Sequence, residues 1–152
     1  MTDQTLNHPT MRLPITRLTP DAHLPTRAHP TDAGLDLYAL IRATIPSGGR
    51  AVIPTGVAVA IPAGYAGFLH PRSGLADMYG VTVANAPGTI DAGYRGEVQV
   101  ILVNHGRTPF RLIAGDRIAQ LIITPIVVPE LDVVDALEAG DRGDAGFGST
   151  GR

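Results

Sequence analysis

The 152-residue chain contains no cysteine and no tryptophan. Lysine is missing as well: all 12 residues counted as lysine or arginine are arginine. Each absence removes a chemistry. Without cysteine there is no disulfide framework, no thiol nucleophile and no cysteine-ligated zinc. Without lysine there is no Schiff base and no phosphate loop of the lysine type. Charge is sparse, at 17% of residues with a formal net charge of −2, which argues against general electrostatic attraction to nucleic acid. Long hydrophobic runs are lacking too. The most apolar stretch, residues 121–128, is interrupted by Thr124 and Pro125 and is far too short to span a bilayer. Residues 1–12 carry Asp3, Asn7, His8 and Pro9 where a signal peptide needs an apolar stretch. The expectation is a cytoplasmic protein with neither a nucleic-acid nor a membrane partner.

What is present is a globular composition, 44% hydrophobic, of a length that suits one domain. The 18 glycines and 13 prolines fall at short intervals, with stretches rich in Val, Ile and Ala between them. Candidate strands are residues 12–18, 35–39, 50–53, 56–61, 66–70, 80–84, 98–104, 110–113 and 117–123. Many short strands separated by turn signals predict an all-β sandwich or barrel. The single helix candidate is Ser73–Tyr79, with Ser73 as its cap. We divide the chain into an N-terminal extension (1–11, expected disordered), a β-barrel core (12–136) and a glycine-rich, mobile C-terminal arm (137–152).

Four constellations have chemical potential. In Pro71-Arg72-Ser73-Gly74-Leu75-Ala76, the Arg72 guanidinium suits phosphate oxygens and Ser73 adds a hydroxyl at a helix start. The segment 85–97 carries Asn85, Gly88, Thr89, Ile90, Asp91 and Tyr94. It reads as strand, tight turn and strand, with Gly93 supplying the unusual backbone angles of a hairpin. Asp91 stands just before the turn, where a carboxylate can act as general base on water. In Gly115-Asp116-Arg117-Ile118-Ala119-Gln120-Leu121, alternation suits a half-buried strand from which Gln120 reaches a ligand. The tail offers Arg142, Phe147, Gly148, Ser149 and Thr150. Its glycines can cradle phosphate and Phe147 can stack on a base, although Ser149 stands where a phosphate loop has its lysine. Taken singly, each segment also has an ordinary structural explanation as a cap, a turn, a strand or a terminus. The five histidines show no metal-ligand spacing, and no Gly-x-Ser-x-Gly elbow is present.

In order, and preceded by Ala33-Gly34-Leu35-Asp36-Leu37-Tyr38-Ala39, these segments resemble the five motifs of the trimeric dUTP diphosphatases (dUTPases). The resemblance runs from about Arg12 to the end of the chain. It implies a jelly-roll-like, distorted β-barrel with one short helix, assembled as a homotrimer with active sites shared between subunits. The implied reaction is dUTP plus water to dUMP and pyrophosphate, which limits uracil incorporation into DNA and supplies dUMP for dTMP synthesis. The implied roles follow position by position. Asp91 is the base for a water attacking the α-phosphorus. Asn85, Gly88, Thr89, Ile90 and Tyr94 form the uracil and deoxyribose pocket, Asn85 pairing with the base edge and Tyr94 lying beneath the sugar. Arg72, Ser73, Gly74 and Gln120 hold phosphates. Asp36 orders the water shell of a Mg²⁺ chelated by the triphosphate. The arm closes with Phe147 and Gly148 over the base, and with Arg142, Ser149 and Thr150 near the γ-phosphate.

Two other readings stand beside this one. A dCTP deaminase-like member of the same fold would use a glutamate for deamination, and a non-catalytic nucleotide-binding β-barrel trimer would turn nothing over. The turn Asp91-Ala92-Gly93-Tyr94 favours the dUTPase reading over the first.

Overall fold

A computed structural model describes residues 11–140 and Gly143. Among the described residues there are ten strands and one short helix. The strands are β1 (Ile15–Arg17), β2 (Leu35–Tyr38), β3 (Ala43–Ile45), β4 (Arg50–Val59), β5 (Tyr65–His70), β6 (Val81–Val83), β7 (Gly88–Ile90), β8 (Glu97–Asn104), β9 (Phe110–Leu112) and β10 (Arg117–Pro125). Helix α1 (Ser73–Tyr79) lies between β5 and β6. Two four-stranded sheets, in the orders β1-β4-β8-β6 and β2-β10-β5-β7, and a two-stranded ribbon β3-β9 make up the jelly-roll-like barrel, with every pairing antiparallel.

Alternation builds the core. Along β8, Val98, Val100, Leu102 and Asn104 are buried while the residues between them are more exposed, as a strand with one wet face requires. The three apolar ones meet Leu37, Ile45, Ile53, Val57, Val59, Val81, Leu112, Ile118 and Leu121 in a single cluster. Each such side chain contributes about 1.5–3 kcal/mol of burial free energy. The polar exception, Asn104, is fully satisfied. Its Nδ2 donates to the Ile45 and Thr108 carbonyls, both at 2.9 Å, and its Oδ1 accepts the Gly106 N–H at 2.9 Å. The side chain thereby ties the loop after β8 to β3.

The structure departs from the sequence expectations in four places. The stretches 50–53 and 56–61 are not two strands: β4 runs through Pro54, and its register against β8 shifts between Pro54 and Ala58. Gly56 has φ 71° there and donates its N–H to Glu97 Oε1 at 2.7 Å, a kink that bends the strand without ending it. Strand β3 lies in a stretch with no strong alternation and forms because β9 pairs with it. The segment 85–97 is not a hairpin. Strand β7 pairs with β5 in one sheet, whereas Glu97 begins β8 in the other, so the Asp91–Tyr94 turn crosses between sheets. That turn is closed by Tyr94 N–H donating to the Asp91 carbonyl at 3.0 Å, and Gly93 is not among the glycines with positive φ. Finally, the cap of α1 is Arg72 rather than Ser73. Arg72 is extended (φ −94°, ψ 126°), its carbonyl accepts the Leu75 and Ala76 N–H groups, and Ser73 is already helical. Gly80, at φ 67°, ends the helix in the left-handed conformation. Beyond Pro125 the chain runs without helix or strand as far as Gly140, leaving Val127, Leu131, Val133 and Leu137 almost wholly exposed.

Candidate active site

The first group of side chains is organised by strand pairing. Gln120 on β10 is opposite Asp36 on β2 and opposite His70 on β5. Directly paired residues share a face of the sheet, so Asp36, Gln120 and His70 form one row across three strands. Asp36 is buried, at 5% exposure, and a buried carboxylate needs cations or donors around it. Two arginines supply them. Arg72 Nε lies 3.2 Å from Asp36 Oδ1, and Arg117 Nη1 lies 3.4 Å from Oδ2. Arg72 also donates from Nη1 to the Arg117 carbonyl at 3.2 Å. The Arg72–Oδ1 contact is an ion pair without hydrogen-bond alignment, so Oδ1 makes no hydrogen bond among the described residues. One carboxylate between two guanidiniums leaves this corner with a surplus positive charge. Ser73 and Gly74 sit exposed at the start of α1, immediately beyond Arg72.

The second group gathers around the crossing from β7 to β8. Asn85, Gly88, Thr89, Ile90, Asp91 and Tyr94 line one concavity of about 340 Å³, together with Leu69 and Glu97. Gly88 admits the Asn85 amide: a Cβ there would stand 3.0 Å from Asn85 Nδ2 and 3.4 Å from its Oδ1. The Tyr94 ring is folded back over Gly96, where a Cβ would meet the phenol oxygen at 2.5 Å, and its hydroxyl donates to the Glu97 carbonyl at 2.8 Å. Arg95 Nη1 clasps the turn from outside, donating to the Ala92 carbonyl at 2.6 Å and the Tyr94 carbonyl at 2.7 Å. Asp91 is exposed at this turn. The arrangement is a polar-edged slot, with an amide able to read a hydrogen-bonding edge and a carboxylate in contact with water.

Among the described residues, the two arginines and the base-slot residues line different concavities. Arg72 and Arg117 line a separate concavity of about 550 Å³ with Leu75, Tyr79, Phe110 and Arg111. Arg142, Phe147, Gly148, Ser149 and Thr150 lie outside the described residues. Three residues at these sites had no assigned part in the sequence reading. Arg117 stood inside a quoted segment but on what read as a structural strand, although a cation at a strand start directly before buried residues is a weak signal. Gly34 and Arg95 stood inside quoted segments without a part of their own, because Gly34 makes room for Gln120 across the fold and Arg95 bonds back onto turn carbonyls.

A dUTPase family model matches residues 20–151. The chain belongs to the dUTPase family. Among curated relatives it is 53% identical over 143 residues to the deoxyuridine 5'-triphosphate nucleotidohydrolase of Thermobifida fusca, covering 93% of this chain and 80% of the relative. It is 48% identical over 143 residues to the protein of the same name from Gloeobacter violaceus, covering 93% and 97%. Among solved structures, the dUTPase of Staphylococcus bacteriophage 80alpha with dUPNHPP superposes with a TM-score of 0.87 at 33% identity, over 94% of this chain and 100% of that one. A point variant of the dUTPase from phage phi11 of S. aureus, in which a structural Mg(II) ion is coordinated, superposes with a TM-score of 0.78 at 31% identity, over 83% and 98%. The dUTPase assignment places both residue groups inside the matched region. No helix among the described residues is long and apolar enough to cross a membrane.

Proposed function

We propose that this chain hydrolyses dUTP to dUMP and pyrophosphate. The observation that carries the proposal is the slot around Asn85 and Tyr94, with the Asp91 carboxylate at its edge. Uracil enters the slot and pairs with the Asn85 amide, whose place over Gly88 leaves little slack. A methyl group in a soft pocket is worth only about 1–3 kcal/mol of discrimination, so rejection of thymine rests on the main chain around Gly88, Thr89 and Ile90. Tyr94 lies under the deoxyribose. Asp91 takes a proton from a water whose oxygen attacks the α-phosphorus. The bond from that phosphorus to the bridging oxygen breaks, and pyrophosphate leaves with the electron pair. No covalent intermediate forms, so the chain acts by positioning and by stabilising charge. Arg72, Ser73, Gly74 and Gln120 hold the phosphates, and Arg142, Phe147, Gly148, Ser149 and Thr150 complete the contacts to base and γ-phosphate.

A Mg²⁺ on the triphosphate would neutralise phosphate charge. Asp36 suits it, because Oδ1 has no hydrogen bond and can accept one from a metal-bound water. Mg²⁺ keeps several waters and binds through few carboxylates plus substrate phosphates, so phosphate and water oxygens would supply most of its ligands. A homotrimer is part of the proposal: the base slot and the arginine corner occupy separate concavities of one chain, and apposing the slot of one subunit to the corner of another brings them together. A cytoplasmic setting goes with a deoxynucleotide substrate.

The test is Mg²⁺-dependent pyrophosphate release across dUTP, dTTP, dCTP and UTP, with Asp91→Asn alongside. Release from dUTP alone, abolished in Asp91→Asn with binding of a non-hydrolysable dUTP analogue retained, is the expected result. Ammonia from dCTP would establish the deaminase reading, and absence of turnover on all four would leave a binding protein.

A further inference from the structure

Gly34 precedes β2, two residues before Asp36, and its φ is not positive. Backbone conformation therefore does not require glycine at this position, and alanine could adopt the same angles. The surroundings favour it. A Cβ at Gly34 would lie 3.1 Å from the Gln120 Cβ, 3.2 Å from its Cδ and 3.4 Å from its Oε1. The two carbon contacts are shorter than the ordinary separation of about 3.5–4.0 Å, and the contact to Oε1 is an ordinary one. We propose that Gly34 is a positioning residue for the phosphate grip: the space of its missing side chain is the seat of the Gln120 carboxamide.

Gln120 Cβ is fixed by a strand paired on both sides, to Asp36 and to His70, so β10 resists moving as a body. The Cβ contact is relieved by a shift of a few tenths of an ångström in the segment before β2, and the flexible Cδ with its amide swings away from Gly34. Gly34 and Asp36 are two residues apart on an extended segment, so their β-positions share a face. Adding a methyl at residue 34 thus crowds the same row that holds Asp36 and Gln120, its three nearest atoms all belonging to Gln120. The inference rests on the proposed role of Gln120 in holding phosphate, and the experiment separates the two.

Three proteins are compared with wild type: Gly34→Ala, Gln120→Ala and the double variant. Gly34→Ala is expected to shift the Gln120 side-chain amide resonances in a ¹H–¹⁵N spectrum of the free protein. It is also expected to lower kcat/KM for dUTP by about tenfold, less than the ~100-fold that a misplacement of about 1 Å can cost. In the Gln120→Ala background the same substitution should change kcat/KM by less than about twofold, since a residue acting through another has nothing left to act on. Unchanged amide resonances would overturn the inference, and so would a full tenfold loss in the absence of the Gln120 side chain. Loss of all effect of Gln120→Ala on dUTP hydrolysis would remove the phosphate role of Gln120, while the spectrum would still decide whether Gly34 seats it.

Discussion

Replacing Asp36 by asparagine keeps the side-chain shape and removes the one negative charge between two guanidiniums. Asp36 has 7% of its side chain exposed, whereas Arg72 has 25% and Arg117 has 47%. Removing one partner of a fully buried pair costs about 3–5 kcal/mol, but these cations retain solvent and recover part of that loss. Exposed pairs contribute about 0–1 kcal/mol. Two pairs sharing a buried carboxylate fall between the limits, so Asp36→Asn should destabilise the chain by about 2 kcal/mol. For a protein of this size 1 kcal/mol corresponds to about 2–4 °C in Tm, giving a fall of about 4–8 °C. The assay is thermal unfolding at one fixed protein concentration, because assembly makes Tm concentration-dependent. It should be repeated at low salt and at about 1 M salt, where the Debye length is about 3 Å. Salt screens the repulsion between the two uncompensated arginines, so the gap to wild type should narrow. A Tm within about 1 °C of wild type would refute the claim that Asp36 neutralises this corner. A gap that salt leaves untouched would show that local hydrogen bonding to the side chain, not repulsion between the two arginines, sets the loss.

Three further outcomes follow from the same contacts. Gly88→Ala places a Cβ 3.0 Å from Asn85 Nδ2 and should raise KM for dUTP by about tenfold with a smaller change in kcat, since it disturbs a contact made throughout binding; steady-state kinetics read the split. Asn104→Ala strands the Ile45 and Thr108 carbonyls and the Gly106 N–H, which at about 1 kcal/mol each should cost about 2–4 kcal/mol in chemical denaturation while leaving KM unaltered. Deleting residues 141–152 should preserve assembly in analytical ultracentrifugation yet lower kcat/KM for dUTP by about 100-fold or more; an unchanged rate would remove the arm from the site.

How much of this was legible beforehand depends on whether the cause was local. The bounds of α1 were readable because the glycine that ends it sits next to it in sequence. Strands β2, β5, β8 and β10 carry their own apolar patterns and were found close to their observed limits. The pairing partner of β7 was not readable. A glycine-rich, three-residue strand beside a turn has the same sequence signature whether it folds back on β8 or, as it does, joins β5. The kink in β4 misled for a related reason. Pro54 and Gly56 are turn signals, and only pairing with β8 on both sides of them makes the stretch one strand. At the candidate site, Arg72, Asp91, Tyr94 and Gln120 stood out as residue types in segments that also read as a cap, a turn or a strand, whereas Asp36 and the part given to Asn85 came from the family resemblance. Arg117, Gly34 and Arg95 act through contacts with Asp36, with Gln120 and with turn carbonyls, which no local pattern encodes.

The separation of the base slot from the arginine corner has a consequence for how the protein would behave in the cell. On the proposed reading neither concavity is a complete catalyst, so turnover belongs to the assembly and not to the chain. Specific activity would then depend on total protein concentration, falling on dilution as subunits part, whereas an enzyme with a self-contained site keeps its activity per chain at any dilution. Substrate bridging two subunits would oppose that dissociation by mass action. A scarce protein would be held together by its own nucleotide, and its activity would track substrate supply without any separate regulatory site.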